Sequence, residues 1–356
     1  MTEMTEHPRE LPFADYLAQS HRPAFDGLRA IGFLMVVTAH IPSGPYFSSF
    51  PGWTGVWIFL VISGYLLTML MLREEKRHGQ VAFGPFLIKR FFRIVPSYWL
   101  AILIYWTACF TLPPLASEYQ PFMDRLPYYL AFLPEYAHTN VFTIFVHTWT
   151  VGIELKFYLF FPPVVFLLIK DLNWRLGVTA ATTLALFVNG TFTAHAYGAL
   201  LFGVMLAFLL ERPQPYRAIA TVTRVPVWVP LGFVAALFVV LRSVEVLWAV
   251  TLVATYVVAY AIVQPGAVLR VLSLRPLVYL GQRSYGAYLL HVLAIHIGYM
   301  AFGNDTMLGG FLTACFCLVV TIPAAELMYR VIERPGMDFA RSLIGRMGPA
   351  KKSAGA

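Results

Sequence analysis

Apolar runs of bilayer length recur along the chain, separated by short polar or basic stretches. A bilayer core takes about 20 mostly apolar residues per helix, with a range near 17–25. Ten segments fit: 25–41, 54–72, 92–112, 149–169, 175–192, 196–210, 226–242, 245–263, 285–302 and 308–329. The pattern predicts an all-α integral membrane fold, a bundle of about ten transmembrane helices. The longest gap, 113–148, is rich in Pro and aromatics. Its apolar piece, 126–133, is too short to span, so the gap reads as an interfacial or re-entrant loop.

Composition narrows the class further. Of 356 residues, 59% are hydrophobic and 12% charged, about half the charged share of a soluble domain. That excludes a cytosolic enzyme, a disordered chain and a secreted disulfide scaffold. Cys109, Cys315 and Cys317 sit in apolar stretches without disulfide or zinc spacing, and the sequence holds no metal-ligand cluster, P-loop or dinucleotide fingerprint. No basic stripe interleaves with aromatics, so nucleic acid is not an expected partner; the lipid bilayer is.

The net charge of +8 carries orientation. With the N-terminus cytoplasmic, all but three of the 26 lysines and arginines fall on expected inner segments. Arg125 and Arg242 fall on outer loops, and Lys156 lies within a helix. The asymmetry supports an even number of spans with both termini cytoplasmic. The organisation expected is a tail at 1–24, a transmembrane domain at 25–335 and a second tail at 336–356. The opening MTEMTEHPRE lacks a basic region before an apolar core, so no cleavable signal peptide is expected and the first span directs insertion.

An ionisable residue inside a span is a functional hypothesis by default. His40 closes the first span, and its imidazole can take a proton from an alcohol and return it. An interfacial histidine bonded to a loop is the plainer alternative. Glu154 in WTVGIELKFYLFFP must be paired, protonated or catalytic. A pair with Lys156 is one option, although residues two apart on a helix face different ways. A carboxylate beside a histidine fixes the ring tautomer, and both residues belong to the outer half of the expected bundle. Arg90 and Arg93 share a helix face at i, i+3, where two forked donors suit a phosphate-rich ligand; the positive-inside rule alone also places basic residues there. Asp26 and Arg29 have the same spacing and read either as a helix cap with a local salt bridge or as part of the same ligand site. His291 and His296 default to buried structural histidines, and Glu326 to a pair with Arg330.

These segments together resemble acyltransferase family 3, integral-membrane enzymes that include O-antigen acetylases and macrolide and glucan acylases. The resemblance rests on six motifs in order. They are RPAFDGLRAI through His40, GVWIFLVISGYLLT with Ser63, Gly64 and Tyr65, KRFFRIVPSYW, WTVGIELKFYLFFP, SYGAYLLH and YRVIERP. Trp57 stands where a polar residue is usual, and Val151 where Leu is commoner. The resemblance implies transfer of an acyl group, often acetyl, from acyl-CoA to a hydroxyl of a carbohydrate or related acceptor. His40 becomes the essential histidine and Glu154 its acidic partner. Arg90 and Arg93, with Asp26 and Arg29 grouped beside them, become contacts for acyl-CoA. Trp57, Ser63, Tyr65, Trp149, Tyr158, Tyr288 and His291 form a candidate substrate pocket. Stacking of Trp53 and Trp57 on a glycan or glycolipid acceptor and an aromatic belt at the membrane interface explain the same residues. No permanently bound cofactor is implied; acyl-CoA is a co-substrate. The expected location is a bacterial cytoplasmic (inner) membrane, and the extracytoplasmic esterase-like domain that some members append is not expected here.

Two rival classes remain at this level. A lipid or sugar transporter or flippase could relay protons through an intramembrane His/Glu pair, but it predicts internal repeats that the sequence lacks. A non-catalytic sensor would have no need of His40 and Glu154.

Overall fold

The computed structural model describes residues 11–19, 22–41, 51–137, 143–241, 246–303 and 306–347. Parts of both expected tails, and Arg242, lie outside the described residues. Among the described residues every regular element is helical. In chain order these are α1 (Phe13–Ala18), α2 (Pro23–Ala39), α3 (Gly55–His78), α4 (Phe83–Thr111), α5 (Ala116–Leu130), α6 (Trp149–Leu168), α7 (Leu172–Asn189) and α8 (Phe192–Leu210). There follow α9 (Pro213–Val222), α10 (Trp228–Leu241), α11 (Val246–Val263), α12 (Ala267–Leu272), α13 (Arg275–Phe302), α14 (Met307–Met328) and α15 (Arg334–Arg346).

Each of the ten apolar segments falls on a helix, and seven stretches among the described residues are long and apolar enough to cross a bilayer. These are Gly52–His78, Phe83–Thr111, Val146–Leu168, Phe192–Leu210, Val246–Val263, Arg275–Phe302 and Met307–Arg346. The three other segments coincide with α2, α7 and α10. Of these, α2 and α10 have 17 and 14 residues, and α7 mixes Arg175, two asparagines and three threonines into its apolar surface. The gap 113–148 is more ordered than a loop. It holds α5, a helix with Pro121 and Pro127 inside it, and short 3₁₀ turns at Pro113–Leu115, Pro134–Tyr136 and Val146–Thr148.

The chain forms two compact units. One comprises Met1–Ala39, Ser49–Met71 and Val164–Ser284. In it α3 and α8 approach through glycines. A methyl group on Gly64 would overlap the Leu200 carbonyl, and one on Gly203 the Val61 carbonyl. Small residues at such crossings let backbones touch where lipid gives no hydrophobic drive for association.

The second unit comprises His40–Ser48, Leu72–Pro163 and Tyr285–Ala356. Pro96 inside α4 has no N–H for the Phe92 carbonyl one turn earlier. Gly336 of α15 lies against that carbonyl, where a Cβ would come within 2.6 Å of the oxygen. The Phe92 and Phe339 rings meet edge to face beside it, with centroids 5.0 Å apart. Glu326 pairs with Arg330 at 2.5 Å, as the i, i+4 spacing suggests.

Lys156 is paired in this unit, and its partner is Glu135 of the Pro134–Tyr136 turn. Its ammonium also donates to the Phe132 carbonyl at 3.1 Å. Phe132 has a φ of 58°, the described non-glycine residue with positive φ. The Glu135 side chain is 4% exposed, and removing one member of a buried pair costs about 3–5 kcal/mol because the other charge is left uncompensated. Lys156→Met is therefore expected to lower the thermal midpoint in lipid or detergent markedly, and adding Glu135→Gln to recover most of the loss. Equal midpoints for Lys156→Met and the unaltered chain would show that the pair holds nothing in place.

Candidate active site

His40 follows directly on the last turn of α2, and its backbone carbonyl accepts a hydrogen bond from Tyr299 Oη at 2.9 Å. His291 lies mid-way along α13 and is fully buried. Its Nδ1 is 2.6 Å from the Tyr288 carbonyl one turn back, so Nδ1 carries the proton and donates. Nε2 of His291 is then an acceptor, and it faces Nδ1 of His40 at 3.4 Å. The partners thus fix both tautomers: His40 carries its proton on Nδ1 and keeps the basic lone pair on Nε2.

A third imidazole completes the cluster. His147 stands in the Val146–Thr148 turn that leads into α6. Its ring centroid is 5.0 Å from that of His291 and 6.4 Å from that of His40, and the His40 and His291 centroids are 4.9 Å apart. Nε2 of His147 lies 3.3 Å from the Leu289 carbonyl. The Leu293 N–H, one turn further along α13, meets Tyr105 Oη at 3.0 Å. The segment before His147 is tied to α5. Tyr129 Oη and Thr143 Oγ1 are 2.6 Å apart, and the Ile144 N–H donates to Glu118 Oε2 at 3.2 Å. Burial pushes the Tyr129 phenol above its ordinary value, which the Thr143 bond opposes, so it stays a neutral anchor. Phe145 packs against Tyr105, Tyr129 and His147, with centroids 4.7–5.5 Å apart. Aromatic packing and hydrogen bonds together set the ring of His147.

From this cluster a polar row runs along one face of α6. Thr150, Glu154 and Tyr158 are four residues apart, about 6 Å per step along the axis. Thr150 Oγ1 donates to Tyr288 Oη at 2.9 Å, and Tyr288 Oη donates to the His147 carbonyl at 2.6 Å. Glu154 is half-buried and lies within electrostatic range of Arg90, Tyr285 and Tyr288. Tyr158 is buried, and the Arg90 guanidinium lies over its ring at 5.2 Å and over Phe86 at 5.8 Å. Arg93, one turn on, is exposed. Trp149 is half-buried at the start of the same helix.

Eight of the residues singled out from the sequence thus share one unit: His40, Arg90, Arg93, Trp149, Glu154, Tyr158, Tyr288 and His291. The contacts join His40 to His291, His291 to Tyr288, and Tyr158 to Arg90. Asp26, Arg29, Trp57, Ser63 and Tyr65 belong to the other unit. There Asp26 is buried and pairs with Arg29 at 3.6 Å, and Gln282 Nε2 donates to its carboxylate at 3.4 Å. Trp57 is buried between Trp53 and Phe192, with centroids 5.2 and 5.5 Å away. Tyr65 Oη lies 3.3 Å from Tyr16 Oη, and Ser63 is half-buried on the same helix. His296 Nδ1 bonds the Val292 carbonyl at 2.8 Å, a structural arrangement. His147 is a further member of the cluster that no apolar run marks. Its signal is its spacing: 147, 150, 154 and 158 fall on one helical face.

Comparison with known proteins agrees with the sequence motifs. A family model described as an acyltransferase domain matches residues 22–330. A Staphylococcus aureus (strain MSSA476) protein with the provisional name of an O-acetyltransferase is 28% identical, across 91% of this chain and 58% of its own length. The O-acetyltransferase OatA of Staphylococcus aureus (strain NCTC 8325 / PS 47) is 24% identical, across 88% of this chain and 57% of its own length. The chain therefore spans less than two thirds of these relatives. No solved structure matches.

Proposed function

This chain belongs to acyltransferase family 3, and from that premise we propose that it moves an acyl group, acetyl in the first instance, from cytoplasmic acyl-CoA to a hydroxyl of a carbohydrate or related cell-envelope acceptor. The observation that carries this reading is the hydrogen-bonded sequence from the Tyr288 carbonyl through His291 to His40. It leaves His40 with a basic Nε2 and an oriented ring, which is what general-base catalysis on an alcohol needs.

The step follows. Nε2 of His40 takes the proton of the acceptor hydroxyl as its oxygen attacks the thioester carbonyl. The positive charge on the ring is shared with His291 through the Nδ1–H bond. The tetrahedral adduct collapses, the carbon–sulfur bond breaks, and the thiolate takes the proton back from His40. The products are the ester and free coenzyme A. His291 does for His40 what an orienting partner does in a catalytic triad: it selects the tautomer and supports the imidazolium. Glu154 supports the same site from the α6 face, within range of Tyr288 on one side and Arg90 on the other.

The donor side is the end of α4 that bears Arg90 and Arg93. Both guanidinium groups suit the phosphates of coenzyme A, which is anionic and cytoplasmic. The row of Thr150, Glu154 and Tyr158 then lines the way for the pantetheine arm toward His40. We place residues 25–335 as the acyltransferase domain, with cytoplasmic tails, in a bacterial inner membrane, and the acceptor on the outer side with His40. Asp26 and Arg29 remain proposed donor-side residues, and Trp57, Ser63 and Tyr65 proposed pocket residues.

Arg90→Gln and Arg93→Gln are each expected to raise the KM for acetyl-CoA about tenfold, the scale of one charge-assisted hydrogen bond, with the acceptor KM unmoved. Initial rates with the two substrates varied in turn measure this. A rise confined to the acceptor KM would contradict the donor assignment.

A further inference from the structure

His147 has a role to fill that the step above leaves open. Its Nε2 lies against the Leu289 carbonyl, so that nitrogen bears the proton. Its Nδ1 is therefore a lone pair. The residue is 2% exposed, and Nδ1 has no hydrogen-bond partner within 3.5 Å among the described residues. A buried acceptor left unmet is costly, and here it belongs to the same three-imidazole cluster as the proposed base. A lone pair can only receive a donor. The thioester sulfur and carbonyl oxygen are themselves acceptors, and the amide N–H groups of the pantetheine arm lie along the proposed path past Thr150, Glu154 and Tyr158. The acceptor substrate offers O–H groups.

We infer that Nδ1 of His147 binds a second hydroxyl of the acceptor, next to the one that His40 activates, so that the enzyme selects polyhydroxylated acceptors. This rests on the proposed acyl transfer at His40. The spacing suits it: with the ring centroids 6.4 Å apart, hydroxyls on neighbouring carbons can each meet one ring nitrogen at about 2.8 Å. The contact would hold the acceptor in register, so His147 is a specificity-determining residue and His40 the base. The surrounding anchors, Phe145 packed on the ring and the Tyr288 hydroxyl on the backbone carbonyl, fix the lone pair before the acceptor arrives. That lowers the ordering cost of binding.

The test uses the full chain in lipid, acetyl-CoA, and two probes that differ by one hydroxyl, ethylene glycol and 2-methoxyethanol. Ester formation from each is measured by mass spectrometry, and the glycol-to-methoxyethanol ratio, corrected for two reactive hydroxyls, is the readout. The ratio does not depend on the fraction of folded protein. For the unaltered chain about tenfold is expected, the scale of leaving one buried acceptor unmet. His147→Phe should bring the ratio near one. His147→Asn, whose Oδ1 takes the place of Nδ1, should restore most of it, whereas His147→Gln, which keeps only the Nε2 position, should not. A ratio near one in the unaltered chain, a ratio kept by His147→Phe, or release of coenzyme A to water without ester from either probe would overturn the inference and leave acyl-CoA chemistry standing. No turnover of acetyl-CoA with water or either probe would overturn the underlying reading as well.

Discussion

Alanine at His40 is expected to lower acyl transfer by about 10³-fold, within the range that a positioned general base contributes. The loss should fall on kcat. The side chain is replaced where α2 ends, and the Tyr299 bond goes to the backbone carbonyl of His40, which alanine keeps. Folding should therefore survive, as an unchanged thermal midpoint would verify. Donor KM should move little, because Arg90 and Arg93 stay in place. If the reaction proceeded by proximity alone, the rate would fall only a few-fold and the pH profile would keep its shape.

The second large effect is expected at His291. Phenylalanine there keeps an aromatic ring of similar shape in a fully buried position, but removes both the acceptor for His40 Nδ1–H and the donor to the Tyr288 carbonyl. His40 is then free to adopt the tautomer with its proton on Nε2, which cannot act as a base. A loss of about 10²-fold in kcat is expected, smaller than at His40 because the base itself remains and only its orientation and charge support are lost. His291→Gln should retain more activity than His291→Phe, since its amide can still accept from His40. A residue that served packing alone would give the reverse order, with Phe better tolerated than Gln. Steady-state rates for the two variants beside their thermal midpoints separate these cases.

Much of the helical architecture was legible in the sequence because the bilayer sets the length of an apolar span. Each apolar segment lies on a helix. What remained hidden was hidden for definable reasons. The helix α5 carries two prolines and a mixed polar surface, so neither hydropathy nor propensity marks it; anchors such as Glu118 on the Ile144 N–H hold the chain that follows it. The partner of Lys156 lies 21 positions away in a turn, beyond the reach of any helical spacing rule. His40 and Glu154 stood out because each is an ionisable group in an apolar run. His291 also stood out, yet its part in fixing the His40 tautomer needed the Tyr288 carbonyl, a backbone atom that no sequence pattern displays. His147 sits just before α6, outside the apolar run, where an ionisable residue is unremarkable. Only the folded turn at Val146–Thr148 brings it to the other two rings.

In the proposed mechanism an imidazole couples the breaking of a thioester to the making of an ester. The most direct measurement of this coupling is a paired assay on the purified chain in lipid vesicles. Free thiol from acetyl-CoA and acetyl ester on an alcohol acceptor are counted in the same samples, for the unaltered protein and for His40→Ala. Thiol and ester should appear one for one, and both should vanish together in the variant. Thiol and ester formed at full rate by a correctly folded His40→Ala protein would contradict this mechanism.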